Sequence, residues 1–121
     1  MVQCRAVLPI MLHQRRGTIV NIASVAAQRF IPGAAAYAAT KAGVVAWSRV
    51  LREEVRAEGV RVGVLVPGAV DTPLWDAIPS GPDRTRMLRP EDVARAAVLM
   101  VSMPPGATLE ELTLLPAGGI L

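Results

Sequence analysis

The sequence predicts an α/β fold, a doubly wound parallel sheet built as a single domain over residues 1–121, and three observations predict it. Helical and strand patterns alternate along the chain, helix first, through three of each. The strand patterns are short continuous runs of apolar residues, rich in β-branched side chains, as expected of strands buried on both faces. Each pair of successive strands is separated by a helix, which implies right-handed parallel crossovers.

Met1 to Gln14 is predicted as a helix with Val2, Ala6, Ile10 and His13 in register, slightly disturbed by Pro9. Arg15, Arg16 and Gly17 end it, as two cations and a breaker. Thr18 to Ala23 is a β-branched apolar run, a buried strand with Ser24 at its C-terminal end. The loop through Gln28 and Gly33 leads into a second helix over Ala34 to Glu58, which Gly59 stops. Small residues dominate its first turns, a surface suited equally to its own sheet and to another subunit. Farther along, Trp47, Val50, Leu51 and Val55 form an apolar stripe, while Arg49, Arg52, Glu53 and Arg56 form a solvated face.

Val60 to Val66 is a second buried strand, followed at once by Pro67-Gly68. From Pro73 to Leu88 the residues Pro79, Gly81 and Pro82 and mixed charge predict a mobile flap. Within it Leu74, Trp75 and Ile78 either line an apolar pocket or anchor a short helix to the core. Arg89-Pro90-Glu91-Asp92-Val93 opens a third helix, with Pro early and acids in the first turn, and it runs to Ser102 before Pro104-Pro105-Gly106. Leu109 to Leu115 is the last strand.

Composition narrows the function classes. A hydrophobic content of 52% is enough for one core, although 121 residues is at the small end for a domain. One cysteine, Cys4, has no partner for an internal disulfide, and one histidine, His13, adds no metal-ligand cluster. No metal is expected, and a reducing, cytoplasmic setting is. The net charge of +3 hides an asymmetry, since seven Lys or Arg and no acidic residue precede Glu53. These cations are dispersed among apolar residues without interleaved aromatics, which argues against nucleic acid as a partner. No run approaches the roughly 18 apolar residues of a membrane span, and the first dozen residues lack a secretory pattern.

The only Tyr and the only Lys, Tyr37 and Lys41, stand four positions apart where the second helix begins, so both side chains share one face. A phenol serves as a proton donor near neutral pH when a fixed ammonium beside it favours the phenolate. Taken alone, the pair fits an ordinary helix pair better, Tyr packed inward and Lys reaching out. Composition shifts that balance: the chain uses Arg twelve times and Lys once, so a compact ammonium stands where Arg is otherwise the rule.

Tyr37-Ala38-Ala39-Thr40-Lys41 resembles the YxxxK signature of the short-chain dehydrogenase/reductase family. Ser24 stands thirteen residues before the Tyr, the spacing of that family's catalytic Ser, and Asn21-Ile22-Ala23-Ser24 is similar to its N-I-S-S strand end with Ala23 in place of a Ser. Pro67-Gly68-Ala69-Val70-Asp71-Thr72 resembles its P-G-x-x-x-T cofactor loop. The resemblance implies the C-terminal half of a Rossmann-like domain, with the first βαβ units absent. No G-x-G-x-x-G or T-G-x-x-x-G-x-G occurs in these residues, and the family's catalytic Asn would fall before Met1. A truncated chain is therefore expected.

The resemblance implies hydride transfer between NAD or NADP and a small-molecule carbonyl or secondary alcohol. Tyr37 is then the general acid/base, Lys41 eases its ionisation and meets the nicotinamide ribose, and Ser24 steadies the substrate oxygen. Pro67, Gly68, Val70 and Thr72 belong to the cofactor site, where the backbone near Val70 and the Thr72 hydroxyl meet the carboxamide. A homo-oligomer is implied for the full-length protein. Two other classes stay open at this point: a non-catalytic remnant that acts by self-association, and a Tyr/Lys epimerase or dehydratase that uses bound NAD.

Overall fold

The computed structural model describes residues 2–78 and 81–120. Three helices, α1 (Val2–Gln14), α2 (Ala35–Val55) and α3 (Pro90–Val101), alternate with three strands, β1 (Gly17–Ile22), β2 (Val60–Pro67) and β3 (Glu111–Leu114). The strands lie in the order β1-β2-β3, all parallel, with Gly17 opposite Val60 and Val64 opposite Glu111. The central strand explains the continuous apolar run in its sequence. It has neighbours on both sides and helices on both faces, and Val62, Val64, Leu65 and Val66 are fully buried.

Alternation along the strands sends side chains to two layers. Ile19, Val60 and Val62 pack with Cys4, Leu51 and Val55 from α1 and α2, and Ala23, Val64 and Val66 continue that layer with Val45. On the other face Leu65 meets Ala96 and Met100 of α3. A side chain at Gly63 would run into Met100 and the Leu109 carbonyl, so α3 and the approach to β3 press directly on the β2 backbone. Burying one such aliphatic side chain contributes about 1.5–3 kcal/mol.

Element ends fall within three residues of expectation, and the shifts have reasons. The first strand was expected over Thr18 to Ala23; it starts at Gly17, and Ala23 keeps a ladder-like bond from its N–H to the Leu65 carbonyl at 2.8 Å. The last strand is Glu111–Leu114 rather than Leu109 to Leu115, because pairing begins only opposite Val64. The second helix turns 3-10 over Arg56–Glu58 and stops at Gly59, whose φ of 77° is left-handed and whose Cα lies against the Arg15 carbonyl. The expected start of the first helix at Met1 lies outside the described residues, as do Pro79 and Ser80 of the expected flap.

Three expectations about helix faces are corrected, one of them Val50 of the expected apolar stripe on α2, which is 58% exposed. Val2, Ala6, Ile10 and His13 of α1 are exposed, and the face in contact with the sheet carries Cys4, Leu8, Met11 and Leu12. Both stripes have helical spacing; contact with β1 selects the second one, where Met11 packs over Gly17. Arg52, expected in a solvated face, is 6% exposed. Its Nε donates to the Val62 carbonyl at 2.8 Å, one terminal nitrogen donates to the Glu110 carbonyl at 2.8 Å, and the other meets the Glu110 carboxylate at 3.1 Å. The carbonyl of Val62 points to the side of β2 where β3 has not yet begun, and the guanidinium takes the place of the missing strand. The small residues Ala35, Ala36, Ala39, Ala42, Gly43 and Ala46 of α2 are exposed, so they do not cover the sheet of their own chain.

Arg49 forks onto Glu111 at 2.6 and 2.9 Å and pulls its carboxyl below the usual Glu range, chiefly through that hydrogen bond. A depressed carboxylate contributes stability above its ordinary value, about pH 4.3, and loses it as pH falls through the folded value. Glu111→Gln is accordingly expected to flatten the loss of stability below about pH 4. Urea denaturation midpoints across that range test this, and identical acid profiles would exclude the pair as a contributor.

Candidate active site

Because the strands are parallel and Ile22 is opposite Leu65, the ends of β1 and β2 open at one edge of the sheet. Every expected site residue closes or follows one of those strands or lies on the helix leaving it. Ser24 is extended and caps the 3-10 turn Val25–Ala27, accepting from the Ala26 N–H at 3.2 Å. That is the turn-bonding role open to any loop Ser. The hydroxyl retains its donor, and among the described residues that donor has no acceptor.

Tyr37 is the third residue of α2, 47% exposed, and Lys41 lies one turn on. The Lys41 Nζ is 5.7 Å from the Tyr37 ring centre and donates to the Ile22 carbonyl at 3.4 Å. The only ammonium side chain of the protein is thereby drawn to the end of β1, two residues before Ser24. Among the described residues no hydrogen bond joins Ser24 to Tyr37 directly. The structure brings Tyr37 and Lys41 together and sets Lys41 against the strand end; Ser24 shares that edge but bonds its own turn.

After β2, the Gly68 N–H donates to the Leu114 carbonyl at 2.8 Å, and a side chain on Gly68 would meet Leu115 and Pro116 at 3.1 Å. Val70 then bridges to Leu88 through the Leu88 N–H to Ala69 and the Asp71 N–H to Leu88. Its carbonyl accepts from the Trp75 indole at 2.8 Å, while its N–H has no partner among the described residues. Thr72 is extended at the start of the 3-10 turn Pro73–Ala77 and makes no capping bond with its side chain.

Sequence reasoning missed the residue that holds this loop. Arg84 donates to Asp71 at 2.5 Å, to Asp76 at 2.6 Å and to the Thr72 carbonyl at 3.4 Å. Hydrogen bonds to Asp71 first and Asp76 second push the guanidinium above its ordinary range. These partners are separated by irregular backbone, so no periodic signal connects them. Of the two readings left open for Trp75, the structure favours the anchor, with its indole N–H on Val70; Leu74 and Ile78 are 66% and 45% exposed.

A cleft of about 740 Å³ opens at the opposite edge of the sheet, lined by Arg15, Arg16, Arg56 and Gly59 among others, and contains none of the expected site residues. A smaller hollow of about 340 Å³ lies beside the start of α2, between Phe30, Ile31, Pro32, Ala35 and Ala38. Among the described residues no helix is long and apolar enough to cross a membrane.

The family model for short chain dehydrogenases matches residues 1–83. The 3-oxoacyl-[acyl-carrier-protein] reductase of Chlamydia trachomatis is 35% identical over 107 residues, covering 82% of this chain and 43% of the relative. An oxidoreductase of Staphylococcus saprophyticus is 38% identical over 116 residues, covering 92% of this chain and 47% of its own. Among solved structures, the closed form of a serine dehydrogenase complexed with NADP+ superposes with a TM-score of 0.81 at 31% identity, covering 91% of this chain and 48% of that one. The chain thus spans somewhat under half the length of these proteins, and the match of folds agrees with the expected partial, Rossmann-like parallel sheet.

Proposed function

Because the chain belongs to the short-chain dehydrogenase family, we propose that its 121 residues form one partial Rossmann-like domain holding the chemical end of an NAD(P)-dependent oxidoreductase. Its substrate is a small molecule with a carbonyl or secondary alcohol. The observation that carries this reading is the placement of Lys41, which reaches from α2 to the Ile22 carbonyl while staying beside Tyr37. An ordinary surface pair would leave the ammonium in solvent.

The residues present suit the nicotinamide end of the cofactor. The Ser24 O–H donor and the Val70 N–H are uncommitted among the described residues, and both lie along one sheet edge with Thr72. Lys41 would hold the nicotinamide ribose, and Val70 with Thr72 the carboxamide, on the platform of Pro67 and Gly68. NAD or NADP supplies the hydride acceptor or donor. Tyr37 gives its proton to the substrate oxygen in reduction and takes it back in oxidation, and the Lys41 ammonium stabilises the phenolate left behind. Ser24 donates to the same oxygen as charge develops there.

A fluorescence titration of the purified chain with NADPH and NADH, beside light scattering, tests the reading. Saturable binding by a defined species is expected. Lys41→Met should weaken it about tenfold, the worth of one charged hydrogen bond. A second reading, self-association without catalysis, draws on the outer edge of β1, unpaired among the described residues, and the exposed Ile22, at 45%, Val2, at 81%, and Ile10, at 58%. Heterogeneous size with no cofactor binding favours that second reading over the first.

A further inference from the structure

The face of β1 turned toward α1 and α2 is apolar at Ile19 and Ala23 and polar between them, at Asn21. Asn21 stands opposite Val64, which is fully buried. An amide in such surroundings costs stability unless its donors and acceptor are met. One donor and the acceptor are met, each from a different helix. Asn21 Nδ2 donates to Ser48 Oγ at 2.9 Å, the Ser48 hydroxyl donates to the Val44 carbonyl at 2.7 Å, and the Cys4 thiol donates to Asn21 Oδ1 at 3.6 Å. Ser48 itself is 0% exposed.

Apolar contact between a helix and a sheet is non-directional and tolerates rotation of the helix; a hydrogen bond of 2.9 Å to the buried Ser48 hydroxyl does not. Ser48 lies about two turns beyond Lys41 on α2. Asn21 immediately precedes Ile22, the residue whose carbonyl Lys41 meets. We propose that the Asn21–Ser48 bond pins the rotation of α2 against β1 and thereby holds Lys41, with Tyr37 beside it, at the end of the strand. Asn21 and Ser48 are positioning residues in the site assigned above, and the inference rests on that assignment for its meaning, while its geometric content is measurable without turnover.

The chain holds a single Lys, so a ¹³C-lysine label turns every NMR cross-peak to the lysine methylenes into a contact of Lys41. Cross-peaks to the Ile22 and Ala23 amides are expected in the wild-type chain and in Ser48→Thr, which keeps the hydroxyl. They are expected to disappear in Ser48→Ala. Should the unpaired Asn21 amide prevent that variant from folding, the double variant Asn21→Val/Ser48→Ala carries the test. Replacing both polar partners by apolar groups is nearly neutral for stability, so the double variant should keep its thermal midpoint and still lose the cross-peaks. Persistence of the cross-peaks in the folded double variant overturns the proposal. Tyr37→Phe separates the two levels: it should keep the cross-peaks, and unchanged turnover in that variant would remove the assigned chemistry while leaving the pin intact.

Discussion

Tyr37→Phe is expected to lower turnover by about 10²- to 10⁴-fold, the usual contribution of a positioned general acid/base, while NADPH affinity stays nearly unchanged. The clean comparison carries the chain in place of the matching segment of the Chlamydia trachomatis reductase, so that a complete cofactor site surrounds it. The substitution removes one oxygen and keeps the ring. Tyr37 is 47% exposed, and no hydrogen bond to its phenol is present among the described residues, so no buried polar group loses a partner. A loss of kcat at constant stability therefore isolates proton transfer from folding. Lys41→Met should lower both kcat and cofactor affinity, because the proposed mechanism gives the ammonium two tasks. Full turnover in the Tyr37→Phe chimera would take Tyr37 out of the mechanism.

Arg52→Ala should be the most damaging single change to the fold outside the apolar core, costing about 2–4 kcal/mol. The alanine strands the Val62 carbonyl and takes one of the two donors from the Glu110 carbonyl, whose other partner is the Val64 N–H. The Glu110 carboxylate, 42% exposed, keeps its bond from Arg56 at 2.9 Å and reaches water with its other oxygen, which tempers the loss. For a domain of this length a fall in Tm on the order of 10 °C follows. Arg49→Ala supplies the control. Its forked pair with Glu111 lies at the surface, with the Arg side chain 57% exposed, and such pairs contribute less than about 1 kcal/mol. Thermal melts of the two variants decide the matter: equal losses would mean that the buried guanidinium does not substitute for the missing length of β3.

Neither the burial of Arg52 nor the clamp of Arg84 was legible beforehand, and for a shared reason. Both arginines are satisfied by groups distant in the chain: Arg52 by Val62 and Glu110, Arg84 by Asp71, Thr72 and Asp76. The spacing of Arg49, Arg52 and Arg56 with Glu53 matches a solvated helix face, and it takes the late start of β3 to expose a carbonyl that only Arg52 reaches. The same limit applies to α1. Two stripes of helical period run along it, and periodicity cannot rank them; contact with Gly17 does.

What the sequence determined by itself is what short-range chemistry imposes. Continuous β-branched runs make strands buried on both faces, Gly59 ends a helix because it alone there adopts a left-handed φ without strain, and a four-residue spacing puts Tyr37 and Lys41 on one face. The order of the elements then follows from right-handed crossovers, which also place the strand ends at a common edge. The tertiary structure alone decided which face of each helix turns inward, that Lys41 reaches back to Ile22, that Asn21 finds Ser48, and which arginines lose their water. The inward faces follow from apolar contact with the sheet, and the other three depend on polar groups brought within 3.5 Å of one another from distant parts of the chain, where a hydrogen bond of that reach leaves no period in the sequence.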